Sequence, residues 1–410
     1  MKNCSQSEVV ITGIGVTSAI GQGKADFTSA LLQGCHRFRK MQREGRQKDT
    51  SFIGAEIDSL SYPEHFSKRV LRGASFTEHA ALVTLDEAWN EAKLGEVDPH
   101  RIGLIIGGSN LQQRDLMLTC EKYKDNEHFI TPTYGVSFMD SDLCGICTEQ
   151  FGIKGMAYTV GGASASGQVA VIQAIHAVQT EQVDACVAMG ALMDLSYREF
   201  LALRSLGAMG TDRYADEPEK ACRPFDKDRD GFIYGEACGA VVVERADFAS
   251  ARKAGSYARL LGYAMAMDGN RNPNPSYEGE MRVIKKVLEQ AGMTASDIDY
   301  VSPHGSGSVV GDELELKVIH DSRLSHAYMN ATKSITGHGL TAAGTIEIIA
   351  TLIQMKESRL HPSRNLMNPI HDCCNWVKNE PAAHIVKNAI SLSFGFGGVN
   401  TAICIQNAMI

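Results

Sequence analysis

Short apolar runs rich in β-branched residues alternate with helical patterns along the whole chain. VVITGIGV (9–16), IGLIIGG (102–108), VDACVAMG (183–190) and GAVVVE (239–244) carry the first set. ARLLGYAM (258–265), YVSPHG (300–305), YMNATKS (328–334) and AISLSFGFGG (389–398) carry the second. Strands that are apolar at nearly every position belong to a sheet covered on both faces. Between them, EGEMRVIKKVLEQAG places Val283, Ile284, Val287 and Leu288 on one helical face, with Gly292 as a natural stop. The pattern predicts layered α/β architecture, with helices packed on mostly parallel sheets. The polar stretch ERADFASARKAGS (244–256) is suited to join two halves that each open on a strand. The expected division is 1–250 and 251–410, with an internal duplication.

Composition narrows the function classes. The 410 residues are 44% hydrophobic and 21% charged, enough for a sizeable core. With 40 basic and 48 acidic residues the net charge is −8, which opposes a nucleic-acid binder. No window approaches the ~18 apolar residues of a membrane span. The start, MKNCSQS, lacks the basic-then-apolar order of a secretion signal. Eleven scattered cysteines, several inside apolar runs, fit reduced thiols of a cytoplasmic protein.

Several local patterns imitate known sites. Cys144 and Cys147 form a CxxC without a second pair at matched spacing, and the adjacent Cys373 and Cys374 do not supply it. DKDRDG (226–231) imitates a calcium loop, but its twelfth position is Ala237 and Glu236 comes one residue early. TGIGVTSAIG (12–21) lacks the third glycine of a dinucleotide loop. The basic run from Arg37 to Lys48 suits either a solvated loop or a docking patch for an acidic partner.

Four turns that follow strands are the candidate sites, because ligands of α/β proteins gather at the carboxyl ends of strands. In YTVGGASASGQVAVIQAIHAV (158–178), Ser164 sits in a small-residue turn before a long apolar helix, where backbone N–H groups face any developing anion. His176, further along that helix, reads as a packed or hydrogen-bonded side chain. SPHGSGSVVGDELEL (302–316) carries His304 with Ser306 and Ser308. NATKSITGHGLTAAGTIEIIA (330–350) carries Lys333, His338 and Glu347, and SLSFGFGGVNTA (391–402) carries Phe394 and Gly395.

These motifs together resemble the β-ketoacyl-acyl carrier protein synthases, condensing enzymes of the thiolase-like fold. VVITGIGV, RPFDKDRDGFIYGEACGAVVVE, PHGSGSVVGDELE, TKSITGHGLTAAGTIE and SFGFGGVN stand in family order across almost the whole chain. The resemblance implies a duplicated five-layered α-β-α-β-α core and a homodimer. It also places the family's two catalytic histidines on His304 and His338, its lysine on Lys333 and its supporting glutamate on Glu347. The gating phenylalanine falls on Phe394, whose backbone N–H is implied in an oxyanion hole. Ser306, Ser308 and Gly395 fall at substrate-binding positions. The nucleophilic cysteine falls on Ser164, and this departure decides the expected function.

Acyl capture by cysteine uses a thiolate, whose free pKa is about 8.5. A serine hydroxyl stays protonated unless a base is placed beside it. Decarboxylation does not need that nucleophile. Two histidine N–H donors on a malonyl thioester oxygen stabilise the enolate that forms as CO2 leaves, and one such donor is worth ~10²–10³ in rate. The chain is similar to the free-standing Cys-to-Ser ketosynthase-like proteins of bacterial polyketide β-branching cassettes. The resemblance implies decarboxylation of malonyl-acyl carrier protein to acetyl-acyl carrier protein. The substrate would ride on the phosphopantetheine arm of the carrier, with no cofactor and no metal. Three alternatives stay open: condensation through Ser164, hydrolysis by a Ser/His pair, and a non-catalytic subunit like the chain-length factors.

Overall fold

A computed structural model describes residues 7–271 and 273–410; the first six residues, on which most of the leader reading rests, lie outside them. The first half contributes strands β1 (Val9–Ser18), β2 (Ile102–Gly107), β3 (Ala157–Val160), β4 (Ala185–Gly190) and β5 (Ala237–Arg245). The second contributes β6 (Ala258–Met267), β7 (Tyr300–Ser302), β8 (Tyr328–Met329), β9 (Asn388–Gly395) and β10 (Val399–Asn407). Their spatial orders are β3-β2-β4-β5-β1 and β8-β7-β9-β10-β6, the same permutation twice. In each half the second strand lies parallel to both neighbours. The last strand in turn lies antiparallel to both of its own. A short antiparallel pairing of Val10 with Arg259 and Ile11 with Ala258 joins the halves into one twelve-stranded sheet. The duplication is therefore visible in the hydrogen-bond pattern.

The sheets are mixed rather than mostly parallel. The unbroken apolar runs report burial of both faces, and antiparallel strands covered by helices on each side produce the same signal. The runs at 300–305 and 328–334 are also shorter as strands than expected. The chain leaves the sheet at Ser302 and Met329 to form the turns that carry His304 and Lys333.

Helices complete five layers. On one outer face, α1 (Phe76–Glu91) and α2 (Ser141–Phe151) pack Leu82, Leu85 and Leu143 against Leu104, Val187 and Val242. The central layer is α3 (Ser166–Gln179) and α6 (Ala343–Glu357), apolar nearly all round as a helix between two sheets must be. Val171, Ile175, Ile348 and Ile349 fill the space between Ile14 and Val241 on one side and Ile403 and Ile405 on the other. On the far face, α4 (Tyr277–Ala291) and α5 (Val309–Asp321) pack Val283, Val287 and Ile319 on Val301 and Ile390. The two central helices nearly touch at their amino ends. A Cβ on Gly167 would lie 2.8 Å from the Thr345 backbone N, and one on Gly344 would lie 2.9 Å from that of Gln168. This approach sets the turns before α3 and α6 side by side.

The linker 244–256 is part strand and part helix, Ala246–Ala251, rather than an open tether. The basic run departs from both of its sequence readings at Arg43 and Arg46. Arg46 is fully buried, with Asp194 at 2.8 Å, Glu236 at 2.5 Å and Glu56 at 3.5 Å. Arg43 makes two 2.8 Å bonds to Glu236. These cations compensate buried carboxylates and are neither solvated nor free to dock a partner; Arg37, Lys40 and Lys48 remain at the surface. Glu236, the acid out of register in the calcium-like pattern, is thereby accounted for. Cys144 and Cys147 are buried thiols on α2, and among the described residues no His, Cys, Asp and Glu cluster suits a metal. His176 stands on the exposed side of α3 with its ring edge on Tyr263, away from the turns.

Arg46→Met should destabilise the protein by ~3–5 kcal/mol, because three buried carboxylates lose a shared cation. Chemical denaturation measures this, and a loss under about 1 kcal/mol would place the network outside the stability of the fold.

Candidate active site

The first turn is a strained one. Ala163 has φ of 47°, a left-handed conformation that costs a non-glycine residue roughly 1 kcal/mol or more. Ser166 holds it: its Oγ accepts from the Gly162 N–H at 2.9 Å and donates to the Ala163 carbonyl at 2.7 Å. Ser393 Oγ, from β9, donates to the Ser164 carbonyl at 3.3 Å. Gly395 completes the clamp, since a Cβ there would stand 2.1 Å from the Gly162 carbonyl oxygen. Ser164 is thus presented just before the amino end of α3, beside the turn that leads into α6.

His338 is held through its backbone. Its N–H donates to the Ile233 carbonyl at 2.7 Å, and its carbonyl accepts from Gly235 at 3.1 Å. The segment running into Glu236 therefore clamps His338, and the buried Arg46 network lies directly behind it. The ring has two partners. Nδ1 accepts from the Leu340 backbone N–H at 3.3 Å, and Nε2 lies 3.0 Å from Ser164 Oγ. A neutral imidazole has one N–H, and an Nδ1 that accepts leaves that hydrogen on Nε2. His338 accordingly donates to Ser164. In this arrangement it is no base for the serine.

His304 stands with its ring centroid 5.5 Å from that of His338, at 81°, and 5.8 Å from that of Phe394. Its Nδ1 is buried without a hydrogen-bond partner. Both histidines are held well below the ordinary pKa of 6.5, first by burial and then by the charge of Lys333. They are neutral donors rather than cations. Lys333 pairs with Glu347 inside the protein, and burial pushes the Glu347 carboxyl up to about 7 against the pull of that lysine. The lysine's other bond is to the His304 carbonyl oxygen. Lys333 therefore orients the His304 turn through its bonds to that carbonyl and to Glu347.

The nine expected site residues separate by role. Ser164, His304, His338, Phe394, Ser306, Ser308 and Gly395 all line one cavity of about 470 Å³. Lys333 and Glu347 lie behind it. Two supporting acids were missed. Glu315 accepts from the N–H groups of His304 at 2.6 Å and Gly305 at 2.8 Å. Asp312 accepts from Phe225 at 2.6 Å and Gly307 at 3.0 Å. Both sit on α5 directly after the Gly/Ser turn, and acids in that place were the available signal. Burial raises Glu315 to about 8 and Asp312 to about 6. Phe232, whose ring meets His338 edge-on at 5.2 Å, was inside a quoted motif but not singled out.

The model of the β-ketoacyl synthase N-terminal domain matches residues 6–249, and that of the C-terminal domain matches 257–367. The chain belongs to the β-ketoacyl synthases. A ketosynthase relative named polyketide biosynthesis malonyl-ACP decarboxylase PksF, from Bacillus subtilis (strain 168), is 64% identical over 407 residues, covering 99% of this chain and 98% of the relative. A 3-oxoacyl-[acyl-carrier-protein] synthase 2 from a Synechocystis strain is 31% identical, covering 99% of each chain. Among solved structures, a β-ketoacyl synthase from Burkholderia phymatum superposes with a TM-score of 0.88 at 25% identity, covering 98% of this chain and all of that one. The thiolase-like ketosynthase fold expected from the motifs is the fold of this protein.

In protein labelled with 15N-histidine, both site imidazoles should remain neutral at about pH 6, with the His338 hydrogen on Nε2; an ordinary histidine is largely protonated there. Because their folded pKa values are depressed, the unfolded chain binds more protons below 6.5. The stability they contribute is present above that pH and is lost as pH falls through the folded values. An imidazolium spectrum for either ring at about pH 6 would contradict the assignment.

Proposed function

We propose that this ketosynthase decarboxylates malonyl-acyl carrier protein to the acetyl form. The observation that carries the reading is the bond from His338 Nε2 to Ser164 Oγ. It makes the serine an acceptor while leaving two neutral imidazoles on one cavity. The 64% relative named as a malonyl-ACP decarboxylase supports the same reaction.

The carrier's arm enters along Ser306 and Ser308. Ser306 Oγ already accepts from the Ser308 N–H, and Ser308 Oγ from that of Gly311, so both hydroxyl hydrogens are free to donate to the arm's amide carbonyls. The thioester oxygen lies between His304 and His338. The bond from C2 to the carboxylate breaks, its electron pair passes to the thioester oxygen, and CO2 leaves. Neutral rings offer hydrogen bonds to that oxygen without a competing cation. C2 then takes a proton from water. The apolar walls around His338, Phe232 and Leu340 desolvate the carboxylate and favour its departure. The reaction as read here draws on no resident cofactor.

The alternatives require what Ser164 lacks. Condensation and hydrolysis both need a base on the serine, and the adjacent ring nitrogen carries a hydrogen. A purely structural subunit has no use for two imidazoles facing one cavity, each with a committed backbone support.

We also read the protein as a cytoplasmic homodimer. No helix among the described residues is long and apolar enough to cross a membrane. Phe129, Phe138 and Met139 are exposed near the edge-strand half, and Tyr158 on the edge strand β3 is 38% exposed. Exposed apolar side chains of this kind suit contact with a second copy. Light scattering should give about twice the chain mass, and Phe138→Glu should shift it toward the monomer; a monomeric natural protein refutes this.

Malonyl-loaded carrier protein, followed by intact mass spectrometry, tests the reaction. Acetyl carrier is expected. Free-thiol carrier would mean hydrolysis, and an unchanged malonyl carrier would leave the protein without this activity. His304→Ala should slow acetyl formation by ~10²–10³.

A further inference from the structure

The outer edge of the second sheet is a short strand, Asn375–Trp376, paired with β8, and two adjacent thiols precede it. Cys35, Cys120 and Cys373 are the exposed thiols among the described residues. The sulfurs of Cys35 and Cys120 lie beside Gln33 and Tyr134, whereas Cys373 Sγ stands 3.9 Å from Cys374 Sγ. Cys374 belongs to the apolar core under α5, and burial pushes its thiol pKa up. Cys373 is therefore the sulfur that a small oxidant reaches first, and Cys374 is placed to resolve the product.

The loop that carries the pair also clamps Trp376. The indole Nε1–H donates to the His371 carbonyl at 3.3 Å, and the Trp376 backbone N–H donates to the Cys374 carbonyl at 3.0 Å. The indole packs on the Phe225 ring, with centroids 5.1 Å apart, and the Ile370 N–H donates to the Phe225 carbonyl at 2.9 Å. Phe225 in turn supports the His304 turn. A Cβ on Gly305 would lie 2.7 Å from its ring, and its N–H donates to Asp312, the acid that also holds Gly307. With φ of 63°, Phe225 keeps its place only while these partners hold it.

We propose that Cys373 and Cys374 form a reversible oxidation site for hydrogen peroxide, and that closing their disulfide disturbs the His304 turn through Trp376 and Phe225. The chemistry balances in two stages. The peroxide O–O bond breaks as one oxygen passes to Cys373 Sγ, giving a sulfenic acid and water. Cys374 Sγ then forms the S–S bond as the S–O bond breaks, and a second water leaves. Peroxide is reduced and the two thiols are oxidised. Consecutive α-carbons stand about 3.8 Å apart, less than the roughly 4.4–6.8 Å that disulfides usually span. The ring therefore twists the backbone at Cys374, whose carbonyl holds Trp376, and is readily reduced.

Protein treated with peroxide, and then with dithiothreitol, decides it after tryptic cleavage at Arg364 and Lys378. The peptide 365–378 should lose two hydrogens with peroxide and regain them with dithiothreitol. In protein labelled with 15N-histidine the His304 signals should move as the ring closes, and conversion of malonyl carrier should fall by about tenfold or more. Cys373→Ser, at an exposed position, should keep the natural rate and lose all of these responses, and Cys374→Ser should do the same. A peptide that stays unchanged or gains oxygen overturns the inference. So does a closed ring that leaves the His304 signals or the malonyl rate unchanged. Reduced protein that converts no malonyl carrier strikes the decarboxylase reading instead, and the peptide mass and the histidine signals then judge the thiol pair.

Discussion

The Leu340 backbone N–H points at Nδ1 of His338, and that one bond fixes what the ring can offer. With Nδ1 occupied as an acceptor, the ring hydrogen sits on Nε2 and faces the cavity. A serine beside it receives that hydrogen and keeps its own. The same imidazole in the opposite tautomer would be a base and Ser164 a nucleophile. Leu340 has φ of 50°, so the turn that aims its N–H is itself held in the left-handed backbone region.

The rest of the site is built to keep that geometry. His338 is pinned to Ile233 and Gly235, and the next residue, Glu236, is locked by Arg43 and Arg46. His304 is held from both sides of its peptide plane, its N–H by Glu315 and its carbonyl by Lys333. Both imidazoles come from the second half of the duplicated fold but are fixed by different chemistry, a strand-like clamp from the first half for His338 and buried charges for His304. Both supports place charge or polarity behind the rings, and the cavity side stays mostly apolar.

Much of this was legible in the sequence. Eight apolar runs marked eight of the ten strands that build the two halves, because a doubly covered sheet writes a continuous signal. Strand direction was not legible, since burial of two faces looks the same in parallel and antiparallel ladders. The seven cavity residues lay in motifs that the family resemblance located, five of them in turns beyond strands, while Phe394 and Gly395 end β9 itself. The supports were harder. Arg46 looked like one of six basic residues in a surface loop, and only the fold brings Glu56, Asp194 and Glu236 to it from distant segments. Glu315 lies eleven residues from His304, and its bond to the His304 N–H depends on how α5 folds back on the turn.

Oxygen at position 164 does more than remove a thiolate. A hydroxyl oxygen is a good hydrogen-bond acceptor and a thiol sulfur a poor one. Ser164 satisfies the His338 Nε2–H at 3.0 Å and so holds the ring toward the cavity. On the reaction proposed above, the arriving thioester oxygen takes over that hydrogen, and the imidazole exchanges one acceptor for another. A buried donor left unmatched would cost about 1–3 kcal/mol, and in neither state does His338 Nε2 incur it. The serine thus serves the histidine in the resting enzyme, where a cysteine would be served by it.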